Sequence, residues 1–304
     1  MKYIITGGAG FIGSHISEML AEDHEVVIID NQSSGKTENV DHLPVQFEMG
    51  TITDISFLKH IFKGADGVFH EAAITSVPRS VEKPLPTHDV NCTGTLNVLI
   101  AARDMGIKKV VFASSSAVYG DTPKLPKRET MLPCPSSPYG VSKLTGEHYC
   151  KVFSDLYGLQ TVSLRYFNVF GPRQDPNSEY SAVIPKFITR ILRNESPVIY
   201  GDGTQTRDFI YVKDVAMANI QAMNTGASGI FNIAYNQQID LNTLAAMIMD
   251  ITGNNVPILY EPPKAGDIHN SFADISAARK YLHFNPQFTV KSGLEETITW
   301  YRNQ

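Results

Sequence analysis

A tyrosine and a lysine one helical turn apart are the residues of this chain best suited to moving a proton. In Ser136-Ser137-Pro138-Tyr139-Gly140-Val141-Ser142-Lys143 the pair stands at i and i+4, so a helix would set both side chains on one face. The segment reads as a helix start, with Ser137 as the capping residue and Pro138 at the first position. A free phenol has a pKa near ~10 and needs help to act as a base at neutral pH. A neighbouring ammonium and the positive end of the helix would both favour the phenolate. Ser114-Ser115-Ser116 close an apolar, strand-like run over residues 109–113. A serine hydroxyl at such a strand end can bridge the tyrosine and a substrate hydroxyl.

A second cluster suits phosphate. Gly7-Gly8-Ala9-Gly10-Phe11-Ile12-Gly13 follows one strand-like run and opens a helix-like one. Glycines let the backbone approach a pyrophosphate, and the helix N-terminus offers unbonded N–H groups with a partial positive charge. Asp30 ends the next strand, about 20 residues on, where a carboxylate accepts bonds from a ribose diol and repels a 2′-phosphate. The pattern therefore favours NAD over NADP. A proton-moving tyrosine beside a dinucleotide site is a constellation for moving a proton while a nicotinamide moves a hydride.

These residues need elements to hold them. Strands are expected over residues 3–6, 25–30, 67–70, 109–113 and 161–164, with helices over 11–21 and near 85–105 and 139–157. Such alternation predicts an α/β fold with a parallel sheet covered on both faces. After about Gly171 prolines break the pattern, pointing to a smaller, irregular C-terminal lobe. The chain has 304 residues, 42% of them hydrophobic and 19% charged, with net charge −5 and no long run of either sign. That composition fits a soluble globular protein and argues against a nucleic-acid or anionic-membrane surface. Cys92, Cys134 and Cys150 are too scattered for a disulfide framework or a zinc site, so no metal is expected. Neither a signal peptide nor a membrane helix is legible, which makes a cytoplasmic protein the expectation.

The glycine motif, Asp30, Ser115, Tyr139 and Lys143 resemble the extended short-chain dehydrogenase/reductase family, and within it the NAD-dependent UDP-sugar 4-epimerases. The likeness includes Arg165-Tyr166-Phe167-Asn168-Val169-Phe170-Gly171-Pro172 and the stretch from Gly201 to Phe209. It implies a Rossmann-type doubly wound parallel sheet over residues 1–171, with return segments near 205–235. The remaining residues, 172–304, would mainly form the substrate lobe. Ser115, Tyr139 and Lys143 would be catalytic. Gly7, Gly10, Phe11, Ile12, Asp30, Asn31, Thr51 and Ile52 would hold the adenosine half of NAD. Ala72, Ala73, Thr75, Asn91, Ser114 and Phe167 would line the path to the nicotinamide, with Tyr139 and Lys143. Ser116, Asn168, Val183, Val198, Tyr200, Arg207, Lys264, Asp267 and Ser271 would join Ser115 and Tyr139 around the UDP-sugar.

Three positions depart from the pattern. Thr51 stands where many relatives have an aspartate near the adenine. Lys264 replaces a common arginine, keeping charge but losing a bidentate fork. Ala117 stands where the dehydratases and decarboxylases carry a glutamate, which leaves epimerisation as the leading chemistry. Ser271 matches a position where a bulky residue confines the pocket to plain hexoses; a serine there should admit a 2-acetamido group. The expected function is 4-epimerisation of UDP-glucose and UDP-N-acetylglucosamine through a 4-keto sugar. UDP-glucuronate epimerisation, with Arg79 near the sugar, and nucleotide-sugar reduction are the alternatives. Family members often dimerise through helices, here those near 85–105 and 139–157, so a homodimer is expected.

Overall fold

In the computed structural model the described residues are 1–176, 183–263 and 269–304. The first half runs β1 (Lys2–Thr6), α1 (Phe11–Leu20), β2 (Glu25–Asp30), β3 (Gln46–Met49), α2 (Ile55–Ile61), β4 (Gly67–His70), α3 (Val77–Glu82), α4 (Pro84–His88), α5 (Thr95–Asp104), β5 (Lys109–Ser115), α6 (Pro138–Tyr157) and β6 (Gln160–Tyr166). The strands pair in parallel in the order β6-β5-β4-β1-β2-β3. They are buried on both faces, hence their apolar runs (Val26-Val27-Ile28-Ile29 and Val110-Val111-Phe112) in place of an alternating pattern.

The chain then leaves the sheet and returns. It passes through β7 (Val169–Phe170), α7 (Val183–Leu192), β8 (Val198–Tyr200), β9 (Thr206–Arg207) and β10 (Ile210–Tyr211). Helix α8 (Val212–Asn224) packs on α1, and β11 (Gly229–Ile233) becomes the seventh strand, parallel to β6. Beyond it lie β12 (Ile239–Asp240), α9 (Leu241–Thr252), β13 (Leu259–Glu261), α10 (Ser276–Leu282) and α11 (Val290–Arg302).

Three apolar cores result. One lies between the sheet and α1 and α8 (Ile16, Val111, Leu164, Val215). A second lies on the opposite face against α2, α5 and α6 (Leu58, Val98, Phe112, Phe153). The third knits α7, α9 and α11 together (Phe187, Leu244, Leu294), so this lobe is more helical than its prolines suggested. Pro185 sits inside α7, in its first turn, where the absent N–H costs little.

Candidate active site

Helix α6 carries the acid–base pair, and its start is built as its sequence dictates. The Ser137 side chain accepts from Gly140 N at 3.1 Å, Pro138 occupies the first position, and Gly158 closes the helix at φ 70°. The helix lies close on β5 because Gly146 has no Cβ: one would stand 2.3 Å from the Phe112 ring. Lys143 is thereby driven to the end of β5, where its Nζ donates to Ala113 O at 2.7 Å and lies 5.9 Å from the Tyr139 ring centre. At the same strand end, the Ser115 hydroxyl hydrogen-bonds the Tyr139 phenol and accepts from Ala117 N at 3.1 Å. Ser115, Tyr139 and Lys143 thus converge.

Their electrostatics differ from the sequence expectation in one respect. Burial raises the Tyr139 phenol above its ordinary value, against the pull of the Ser115 hydrogen bond. Burial likewise pushes Lys143 down to about 8. The Ser115 hydrogen bond is the pull toward the phenolate, and burial outweighs it.

The glycine turn stands beside this group. Gly7 has φ 69°, and a Cβ there would lie 2.7 Å from Ala72 N, so both its conformation and its neighbour require glycine. Gly10 precedes α1 with no side-chain cap, and the first turn carries no acidic residue. The N–H groups at Phe11 and Ile12 are therefore left for an anionic ligand. Asp30 is buried at the end of β2, its oxygens accepting from Ala9 N at 3.1 Å and Gln32 N at 2.7 Å. A carboxylate tied to the turn itself is the partner a ribose diol needs, so these residues fit NAD. Asn31 is exposed next to it.

The remaining candidates fall into place unevenly. Asn91 clamps the Ala72–Thr75 stretch: its Oδ1 accepts from Ile74 N at 2.8 Å, and its Nδ2 donates to Ile74 O and to Ser142 Oγ. The Ser114 hydroxyl donates into the interior to Glu147 at 2.5 Å, leaving only its backbone for a cofactor. Phe167 is buried beside Tyr119, and Ile52 is buried while Thr51 bonds Thr53. Ser116 opens the short turn after Ser115.

In the second lobe β9 pairs with the segment after 268. Ser271 N donates to Thr206 O at 3.1 Å, and Arg207 Nη1 donates to Thr206 O and His269 O. This brings Ser271 beside Arg207, although 64 residues separate them in the chain. Asn168 Nδ2 reaches Asp208 O at 3.3 Å, Val183 begins α7, and Val198 and Tyr200 bound β8. Tyr200, Gln205 and Tyr260 line a cavity of about 750 Å³. Lys264 and Asp267 lie outside the described residues.

Several residues that the sequence did not single out shape the site. Ser80 Oγ accepts from Tyr139 N at 3.1 Å, so α3 steadies the tyrosine's backbone. Asp208 is fully buried and accepts from Tyr235 N and Ala273 N, which fastens β9 to the loop carrying Ser271. Glu147 forms a buried bidentate pair with Arg165. Glu71 accepts from Tyr166 Oη at 2.9 Å. A lone carboxylate directly after a buried strand was the available signal for Glu71; the others carry none. Among the described residues no cluster could hold a metal, and no helix is long and apolar enough to cross a membrane.

The NAD dependent epimerase/dehydratase family model matches residues 3–234. The chain belongs to this family. As a family member it is 41% identical, over 99% of its length and 98% of the relative's, to a putative UDP-glucose 4-epimerase of Methanocaldococcus jannaschii. A solved UDP-N-acetylglucosamine 4-epimerase from Methanobrevibacter ruminantium, in complex with UDP-N-acetylmuramic acid, superposes at TM-score 0.97 with 46% identity, covering 100% of this chain and 98% of that one. The UDP-glucose 4-epimerase of Thermotoga maritima, solved with UDP-glucose, does so at 0.96 with 39% identity, covering 100% and 99%. The family is NAD-dependent, and the geometry of Asp30 and the glycine turn fits that cofactor.

Proposed function

We propose that this protein is a UDP-sugar 4-epimerase that keeps NAD bound and interconverts UDP-hexoses, 2-acetamido sugars included. The observation that carries the reading is the convergence of Ser115, Tyr139 and Lys143 at the end of β5, beside a dinucleotide cradle. Tyr139 as phenolate takes the proton of the sugar's 4-hydroxyl, with Ser115 bridging the two oxygens. NAD, which the glycine turn and Asp30 would hold, would supply the acceptor and then the donor of a hydride at C4. The sugar becomes a 4-ketone, turns about its phosphate linkage, and is reduced from its other face while Tyr139 returns the proton. Arg207 supplies a cation for the diphosphate, and Tyr200 a wall for the uracil. This remote anchoring keeps the ketone captive while it turns.

Ser271, whose backbone bonds Thr206 next to Arg207, supports the acetamido reading because a serine side chain is small. Lys264 and Asp267 belong to the same proposed anchor. Residues 1–171 with the α8 and β11 segment are read as the NAD unit and the rest as the substrate lobe. A homodimer is part of the reading: Val141, Val152 and Leu156 are exposed on α6, and Val77, Val81 and Leu85 on and beside α3.

Proton NMR of purified protein with UDP-glucose, UDP-N-acetylglucosamine or UDP-glucuronate, without added cofactor, tests this. Galacto anomeric signals are expected in the first two tubes. Conversion of UDP-glucuronate alone would overturn the sugar assignment, and no conversion even with NAD present would overturn epimerisation.

A further inference from the structure

Glu71 is the first residue after β4, between buried His70 and the Ala72–Ala73 turn. Strand alternation sends neighbours to opposite faces. His70 bonds Thr95 of α5, whereas the Glu71 side chain crosses the end of β5 to reach Tyr166 of β6. Asn219 of α8 fastens that tyrosine, its Nδ2 donating to Tyr166 Oη at 2.8 Å. The Glu71 backbone is held too, its N–H donating to Thr6 O at 3.1 Å. The carboxyl is therefore fixed where β4, β5 and β6 end, on the strand ends that carry Ser115 and receive Lys143. The residue is half-buried, with part of its surface open to solvent.

A tie between strands needs no charge, since a glutamine would accept the tyrosine's proton equally well. The β4–β5 register that sets His70 against Phe112 carries Glu71 opposite Ala113, whose carbonyl takes the Lys143 ammonium, so the carboxyl stands beside that charge. What a carboxylate adds is its field, which reaches both members of the acid–base pair. We propose that Glu71 is a positioning residue of the reaction, its carboxylate setting the pH window in which Tyr139 and Lys143 exchange the proton. This inference rests on the reading of Tyr139 as the base.

The groups that face Glu71 fix the sign. Tyr139 and Lys143 approach from α6 and Tyr166 from β6; His70, on its own strand, is pushed down to about 3 by burial and stays neutral. Cys92 faces Lys143 from the turn before α5. Burial pushes Glu71 itself up to about 7, against the Tyr166 bond and Lys143. Ionised, it raises both the phenol of Tyr139 and the ammonium of Lys143. Removing the charge should let both lose their protons at lower pH, moving the whole bell of activity in that direction.

The test titrates the tyrosinate ultraviolet band of the NAD-loaded protein in wild type, Glu71→Gln and Glu71→Asp, with Tyr139→Phe as the subtraction. In Glu71→Gln the Tyr139 midpoint should fall by on the order of one pH unit, and the kcat/KM profile should follow it. Glu71→Asp, which draws the charge back by one methylene, should fall by less; if the glutamine variant does not fold, this one decides. An unmoved midpoint with a uniform loss of kcat would reduce Glu71 to a strand tie and overturn the proposal. If Tyr139→Phe leaves the titrating band in place, the assignment of the base fails and the proposal with it. If the band vanishes in Tyr139→Phe yet stays put in the Glu71 variants, the proposal alone fails.

Discussion

At the residue scale the site is governed by burial. Burial strips water from Lys143 and holds its ammonium down to about 8, although Ala113 O and the Phe112 ring both favour the charge. The charged form is lost as pH rises through that value, so kcat should fall on the alkaline side near pH 8. A lysine in water, with a pKa near ~10.4, would keep the profile flat well beyond that point. A flat profile to pH 10 would show that Lys143 does not act as a charge on Tyr139. Ser271 invites a second substitution. Ser271→Tyr should cut turnover of UDP-N-acetylglucosamine roughly 10- to 100-fold while sparing UDP-glucose, as a steric gate does; equal loss of both would remove the gatekeeper. The residue types at Tyr139, Lys143, Ser115 and Asp30 were legible because each has one unusual chemical use and stands at a short, regular spacing. Ser80 and Asp208 were not, because a serine or an aspartate takes such roles only through partners distant in the chain.

At the element scale the site is a meeting of strand ends. Strands β1, β4 and β5 run parallel and finish side by side, so the Gly7 turn, the Ala72–Thr75 stretch and Ser115 share one edge of the sheet. Asn91 is the clamp that keeps the middle stretch there, spending three hydrogen bonds on Ile74 and on Ser142 of α6. Asn91→Ala should lower stability by about 1–3 kcal/mol in urea unfolding, since buried polar partners lose their bonds. The same variant should leave gel filtration with less NAD than wild type; unchanged NAD content would show that the clamp serves the fold alone. The π-type turn at Asp89–Gly94, just before α5, is where the backbone shifts register to aim this amide. The sequence suggested one helix near residues 85–105; composition does not disclose the turn, because its cause is the tertiary partner of Asn91.

At the scale of the whole molecule, the chain leaves the sheet after β6, returns to it with α8 and β11, and leaves it again toward α9 and α11. Segments β7 and β10 pair, with Val169 and Phe170 beside Ile210 and Tyr211. Outside, α6 turns Val141, Val152 and Leu156 to solvent, with Leu156 70% exposed, on a face that a second copy of the chain would cover. Leu156→Arg should convert a dimer into a monomer in analytical ultracentrifugation; an unchanged mass would place any interface elsewhere. The amino-acid sequence by itself determined the apolar strand runs, the glycine turn, the capped start of α6 and the spacing of Tyr139 and Lys143, because each depends on neighbours within a few residues. Tertiary structure alone decided that burial dominates the phenol of Tyr139. It also decided that Ser271 stands beside Arg207 and that Glu71 meets Tyr166 across the end of β5. These are consequences of which strand ends meet, and a chain discloses such meetings only once its long-range contacts have formed.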